Sequence, residues 1–162
     1  MYNVQAKTLA LISLAIIIVM TFLGPVVARI VETAEMKTIK VSADAFEAAF
    51  EQVKNGEIPC ADLATLTDAE WDTLYVFGPY TTKEKIDETL GKAWKYTQYT
   101  SIDIDDSITL LLFTKDQDVV AFTELSRGIA DFAYLSGEVY GSDNACFSVD
   151  ETGRIVEVES EE

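Results

Sequence analysis

The chain has 162 residues, with 28 acidic side chains against 12 basic ones and no histidine, for a formal charge of −16. So acidic a surface repels phosphate backbones and anionic headgroups, which makes nucleic acid a poor partner. Without histidine there is no Ser-His-Asp triad, no Cys-His pair and no usual zinc ligand set. With an apolar leader set aside, the length leaves room for one globular domain.

The first 28 residues contain no acid, and Leu9 to Leu23 is almost continuously apolar after Lys7. Gly24-Pro25 breaks the run, and small residues precede a possible cut after Ala28. This layout fits a secretory signal, and it also fits an uncleaved anchor, since about 20 apolar residues span a bilayer. Residues 1–28 are therefore expected to be a signal peptide or a membrane anchor, with the rest extracytoplasmic. Residues 29–41 read as a spacer, 42–159 as a single α+β domain, and 160–162 as an acidic tail.

Ser42 is placed to cap a helix at about 43–55, whose apolar stripe is Phe46, Ala49, Phe50 and Val53; Asn55-Gly56 stops it. Residues 57–70 read as a loop with one helical turn. Trp71 to Gly91, WDTLYVFGPYTTKEKIDETLG, is the stretch around which the domain is organised. It begins as a strand with two apolar faces, so the strand should be central or covered by a helix. Gly78-Pro79 ends it. Thr81 or Thr82 can cap a helix at about 82–90, Thr81 with Glu84 in a capping box, and Gly91 terminates it. Trp94 to Thr100 reads as a further strand and Asp103 to Ser107 as a polar turn. Ile108–Thr114 and Val119–Leu125 form a hairpin across the turn Lys115–Asp118. Arg127 to Ser142 is ambiguous, and Ala145–Asp150 with Arg154–Glu159 makes a last hairpin. The expected architecture is α+β: two helices packed on a mainly antiparallel sheet of five or six strands, preceded by an N-terminal hydrophobic helix.

The residues Trp71, Asp72, Leu74, Tyr75, Phe77, Pro79, Tyr80, Thr81, Leu90 and Gly91 carry a resemblance. The segment looks like one found in small uncharacterised exported or lipid-anchored proteins of Gram-positive bacteria. That family implies no activity, and the cysteine its lipoprotein members carry after the leader is missing here. Thr82, Ile86, Leu90 and Gly91 also match the spacing in BamE/SmpA-like and β-lactamase-inhibitor-like modules, whose hairpins are similar to LLLFTKDQDVVAF. This second resemblance implies accessory or inhibitory binding domains, not enzymes.

Cys60 and Cys146 are the only cysteines, and in an oxidising compartment a disulfide between them is favoured over two buried thiols. No Ser-x-x-Lys pair occurs, and Thr82 with Lys85 is better explained by capping. Asp103, Asp105 and Asp106 invite a calcium reading, but an EF-hand loop counted from Asp103 would hold Ile108 and Thr114 where glycine and glutamate belong. No catalytic residue, metal ligand or cofactor is assigned. Trp and Tyr are favoured at binding hot spots, so Trp71, Tyr75, Tyr80 and Trp94 are the binding candidates, although core packing is the commoner use of such rings and the favoured reading here. The function expected is a non-enzymatic binding or accessory module of the cell envelope, acting on an unknown envelope protein and touching the membrane through its N-terminal helix if that is uncleaved. The alternatives are a carboxylate-based hydrolase of wall glycans and a calcium-responsive surface domain.

Overall fold

A computed structural model of the protein describes residues 21, 23–32, 36, 39–151 and 154–158. Most of the expected leader, the Thr152-Gly153 turn and the acidic tail lie outside the described residues. The chain divides between residues 38 and 39 into two compact units. In the first, residues 23–32 are helical (α1). Among the described residues no helix is long and apolar enough to cross a membrane.

The second unit is α+β. Its elements in order are α2 (Asp44–Lys54), β1 (Ala61–Asp62), β2 (Thr73–Phe77), α3 (Lys83–Leu90), β3 (Ile108–Lys115), β4 (Asp118–Ser126), β5 (Val139–Gly141), β6 (Cys146–Val149) and β7 (Ile155–Glu157). Instead of one sheet of five or six strands there are two antiparallel ones: a four-stranded sheet ordered β4-β3-β2-β5 and a three-stranded sheet ordered β1-β6-β7. The last hairpin, β6–β7, does not extend the large sheet; it pairs with the short strand before β2, Ala61 opposite Phe147.

The two apolar faces of β2 follow from its position. It lies between β3 and β5, and its side chains alternate between two cores. On one face Leu74 and Val76 sit opposite Phe113 and Leu111, under the α2 stripe Phe46, Ala49, Phe50 and Val53. A run of edge-to-face rings continues from there into the small sheet: Phe50 on Phe132 at 5.5 Å, Phe132 on Phe147 at 5.2 Å, Phe147 on Tyr140 at 5.0 Å. On the other face Phe77 sits opposite Leu110, and Leu112 opposite Phe122. There the Trp94 ring meets Phe122 edge-on at 5.1 Å. The outer edge of β4 is partly covered by the end of the spacer: Lys40 bridges Phe122 in parallel, the Val41 N–H donates to the Phe122 carbonyl at 2.9 Å, and Lys40 Nζ lies 2.8 Å from Glu124.

Local signals locate the helices to within a residue. Ala43 stands at the N-cap of α2, while the Ser42 hydroxyl accepts from the Asp44 N–H at 3.2 Å. Thr82 caps α3, accepting from the Lys85 N–H at 3.3 Å. Thr81 has no capping-box role, because its hydroxyl donates to the Gly78 carbonyl at 2.6 Å. Gly91, at φ +69, closes α3 in the left-handed conformation that glycine adopts without strain.

One expected strand is absent. Trp94 to Thr100 folds as tight turns around a 3-10 helix at Thr97–Tyr99. The Thr97 and Thr100 hydroxyls bond the carbonyls three residues back, at 2.9 and 2.8 Å. Hydroxyls that satisfy their own local backbone compete with ladder pairing, and the aromatic–polar alternation of this segment conceals that competition. The ambiguous stretch after Arg127 is irregular, with a 3-10 helix at Ala133–Leu135 before β5.

Candidate functional site

The four aromatic candidates do not converge. Trp71 is buried against Phe113, ring centres 5.1 Å apart, on the face covered by α2. Trp94 is buried on the opposite face. Tyr75 is half-buried there and stacked with Phe77 at 6.4 Å. Of the four, only Tyr80 is exposed, at 59%.

Tyr80 is held in an unusual way. Gly78-Pro79-Tyr80-Thr81 is a β-turn closed by the Thr81 N–H on the Gly78 carbonyl at 3.3 Å, and Tyr80 has φ +62. Proline in the second position and positive φ in the third are the pattern of a type II turn, whose third position calls for glycine or asparagine. A bulky side chain there costs on the order of 1–2 kcal/mol. The surroundings enforce this conformation from both sides. The Tyr80 N–H donates to the Ile102 carbonyl at 2.7 Å, and the Gly78 N–H donates to Ser136 Oγ at 2.8 Å. A Cβ added to Gly78 would lie 2.9 Å from both Cβ and Oγ of Ser136, so only glycine lets the two segments approach so closely.

Three neighbouring segments therefore meet at one end of the large sheet, and each presents an exposed apolar side chain: Tyr80, Ile104 at 77% and Tyr134 at 61%. Arg154 lies over the Tyr134 ring at 4.4 Å. The turn bearing Tyr134 is held by Asp131, whose Oδ1 accepts from the Ala133 N–H at 3.0 Å. Asp131 is itself gripped by Arg127 through two bonds, Nε to Oδ1 at 2.8 Å and Nη2 to Oδ2 at 3.0 Å. These bonds hold the Asp131 carboxyl below its usual range and raise the guanidinium further. Arg127 Nη1 also donates to the Asp106 carbonyl at 2.6 Å, tying this turn to the acidic one.

In that acidic turn Asp105 is engaged locally, accepting from the Ser107 hydroxyl at 2.6 Å and the Ser107 N–H at 2.8 Å; these bonds lower its pKa. Among the described residues no group of three or more Asp, Glu, Cys or His side chains is arranged to hold a metal ion.

At the opposite end of β2 lies an open groove of ≈ 420 Å³, lined by Thr67, Asp68, Glu70, Trp71, Lys115 and Ser142 with two alanines. Trp71 forms its wall, not a platform, because the ring is spent on Phe113. Nearby, Asp72 accepts from the Asp116 N–H at 2.9 Å and from the Thr73 hydroxyl at 2.9 Å, which lowers its pKa.

Cys60 and Cys146 form a disulfide, Cα atoms 5.6 Å apart, where β1 meets β6. Compared with known proteins, the chain matches no family model, no curated protein and no solved structure.

Ile104, Tyr134 and the Arg127–Asp131 pair were not singled out in the sequence, because only the fold brings 80, 104 and 134 to one end of a sheet. One signal was available: a Gly-Pro turn followed by tyrosine puts a ring where glycine is wanted.

Proposed function

We propose that the protein is a non-enzymatic binding module of the cell envelope, extracytoplasmic, acting through protein contacts at the end of the sheet formed by Tyr80, Ile104 and Tyr134. The observation that carries this reading is Tyr80 itself: an exposed ring kept at positive φ where glycine would relieve strain. Strain maintained by the surrounding hydrogen bonds is characteristic of binding sites. The partner surface complementary to it is apolar, with basic groups to face Asp103, Asp105 and Asp106 around the rim. Two further features support the reading. The disulfide is of the kind that persists in an oxidising compartment. The absence of histidine removes the commonest activated nucleophiles. The resemblance to exported proteins and to accessory or inhibitory modules points the same way.

The test replaces Tyr80 and Tyr134 in turn with a photo-crosslinking amino acid in cells, with Gln117, on the turn at the opposite end of the sheet, as control. The same adduct from 80 and 134, and none from 117, is the expected result. Tyr80→Gly should weaken that capture while leaving the melting temperature unchanged or higher. If Tyr80→Gly lowers stability, the ring is structural and the reading fails.

A further inference from the structure

We propose that the helix preceding the domain is the outer end of a retained membrane anchor, its apolar stripe lying in lipid, and that the chain is not cut after Ala28. At 100° per residue, Leu23, Val26, Val27, Ile30 and Val31 fall within an arc of about 140°. All five are exposed, by 51 to 64%, as are the other residues from 23 to 31, so it is side-chain chemistry and not exposure that sets this face apart. The opposite arc holds Gly24, Pro25 and Ala28, which offer little apolar area, and the charged Arg29 and Glu32, which are unsuited to lipid.

The identity of the occupant follows from the sequence just before the stripe. Thr8 to Ala28 contains no charge, and Leu9 to Leu23 is nearly all apolar, so the stripe follows the apolar run across Gly24-Pro25 with no charged residue between them. An interface with a soluble partner needs no such continuation, whereas a bilayer requires it. The first charges after Lys7 are Arg29 and Glu32, both on the arc away from the stripe, as expected where a helix leaves the hydrocarbon.

The helix also bears on processing. Recognition of small residues at positions −3 and −1 before a cut relies on an extended chain, in which residues two apart point the same way. In α1 the corresponding Val26 and Ala28 lie about 160° apart. The helix continues through residue 32, past the cut, so cleavage would require it to unwind.

The proposal shares with the proposed function only the export of the domain. To test it, the full chain is produced in an exporting bacterial host, extracted from membranes with detergent and weighed intact. The expected mass includes residues 1–28, and a soluble chain beginning at Arg29 overturns the proposal. Single cysteines at Val27, Ile30, Ala28 and Glu32 are then labelled with a fluorophore, the Cys60–Cys146 disulfide being left oxidised. In vesicles of brominated phosphatidylcholine, labels at 27 and 30 should lose most of their emission and those at 28 and 32 little. Equal quenching at all four, or none, overturns the lipid assignment. Disulfide-linked dimers at 27 and 30 without quenching give the stripe to a second copy, which also overturns it. Crosslinking through Tyr80 is read separately, so a cleaved chain that still captures its partner refutes the anchor alone, and an anchored chain that captures nothing refutes the binding reading alone.

Discussion

Trp94 buries its indole N–H where no acceptor among the described residues reaches it, while the ring packs edge-on against Phe122. Ring and N–H therefore act in opposite directions, the one stabilising through burial and the other costing desolvation. Trp94→Phe should destabilise the domain by less than about 1.5 kcal/mol, whereas Trp94→Ala should cost roughly 3 to 5 kcal/mol. Trp71→Ala should cost the same roughly 3 to 5 kcal/mol, because its ring is pinned to Phe113. Urea unfolding of the four proteins checks the ranking; a near-neutral Trp71→Ala would return that ring to a binding role. In the sequence these aromatics could not be told apart. Trp71 has the same parity as Tyr75 and Phe77, yet it joins the face of Leu74 and Val76, because regular pairing of β2 begins only at Thr73. Strand periodicity assigns faces only where the strand has begun.

Among the elements, those with strong local signals were legible. The β3–β4 hairpin formed where expected, and its two central residues, Asp116 at φ +49 and Gln117 at φ +69, adopt the left-handed conformation that a two-residue turn demands. The crossing from Arg127 to Ser142 was not legible, since its order comes from tertiary bonds. The Arg127–Asp131 pair fixes the 3-10 turn that carries Tyr134, and only the fold brings Arg127 to the Asp106 carbonyl. This element carries a pH prediction. A carboxyl held below its usual range stabilises the folded chain at any pH above the unfolded value near 4, and the gain is lost as pH falls through the lower folded value. Both partners are partly exposed, with side-chain accessibilities of 33% and 22%. Solvent screening therefore limits the effect to about 1 kcal/mol. Asp131→Asn should lower stability by that amount at neutral pH and make the acid limb of a melting-temperature profile shallower. Unchanged curvature below pH 4 would mean that the pair contributes nothing.

At the scale of the whole molecule, the small sheet depends on very little pairing at its inner edge. β1 offers only Ala61 and Asp62 to β6, and the disulfide joins the residue before that strand to the first residue of its partner. The cysteines, 86 residues apart, were the one long-range signal in the sequence. The bridge expected between them is present, and it brings the last hairpin to the loop at Pro59. A second sheet was not legible, because alternation in a hairpin does not reveal which edge it will join. Closing a loop of that length restricts the unfolded chain by roughly 4 to 5 kcal/mol in the entropic account. Most of the apolar core lies elsewhere, between α2, the large sheet and the Trp94 segment, and survives loss of the bridge. Replacing both cysteines by serine should therefore lower the melting temperature by on the order of 10–20 °C without preventing folding. Amide exchange should accelerate first in residues 57–65 and in β6, while β2 and β3 retain their protection. The location of the early exchange is decisive. If protection falls evenly across both sheets, the bridge acts only by restricting the unfolded chain. If it falls selectively at β1 and β6, the bridge also holds those two strands of the smaller sheet together, and the groove beside Trp71, whose rim is formed by Thr67 to Glu70, opens with them.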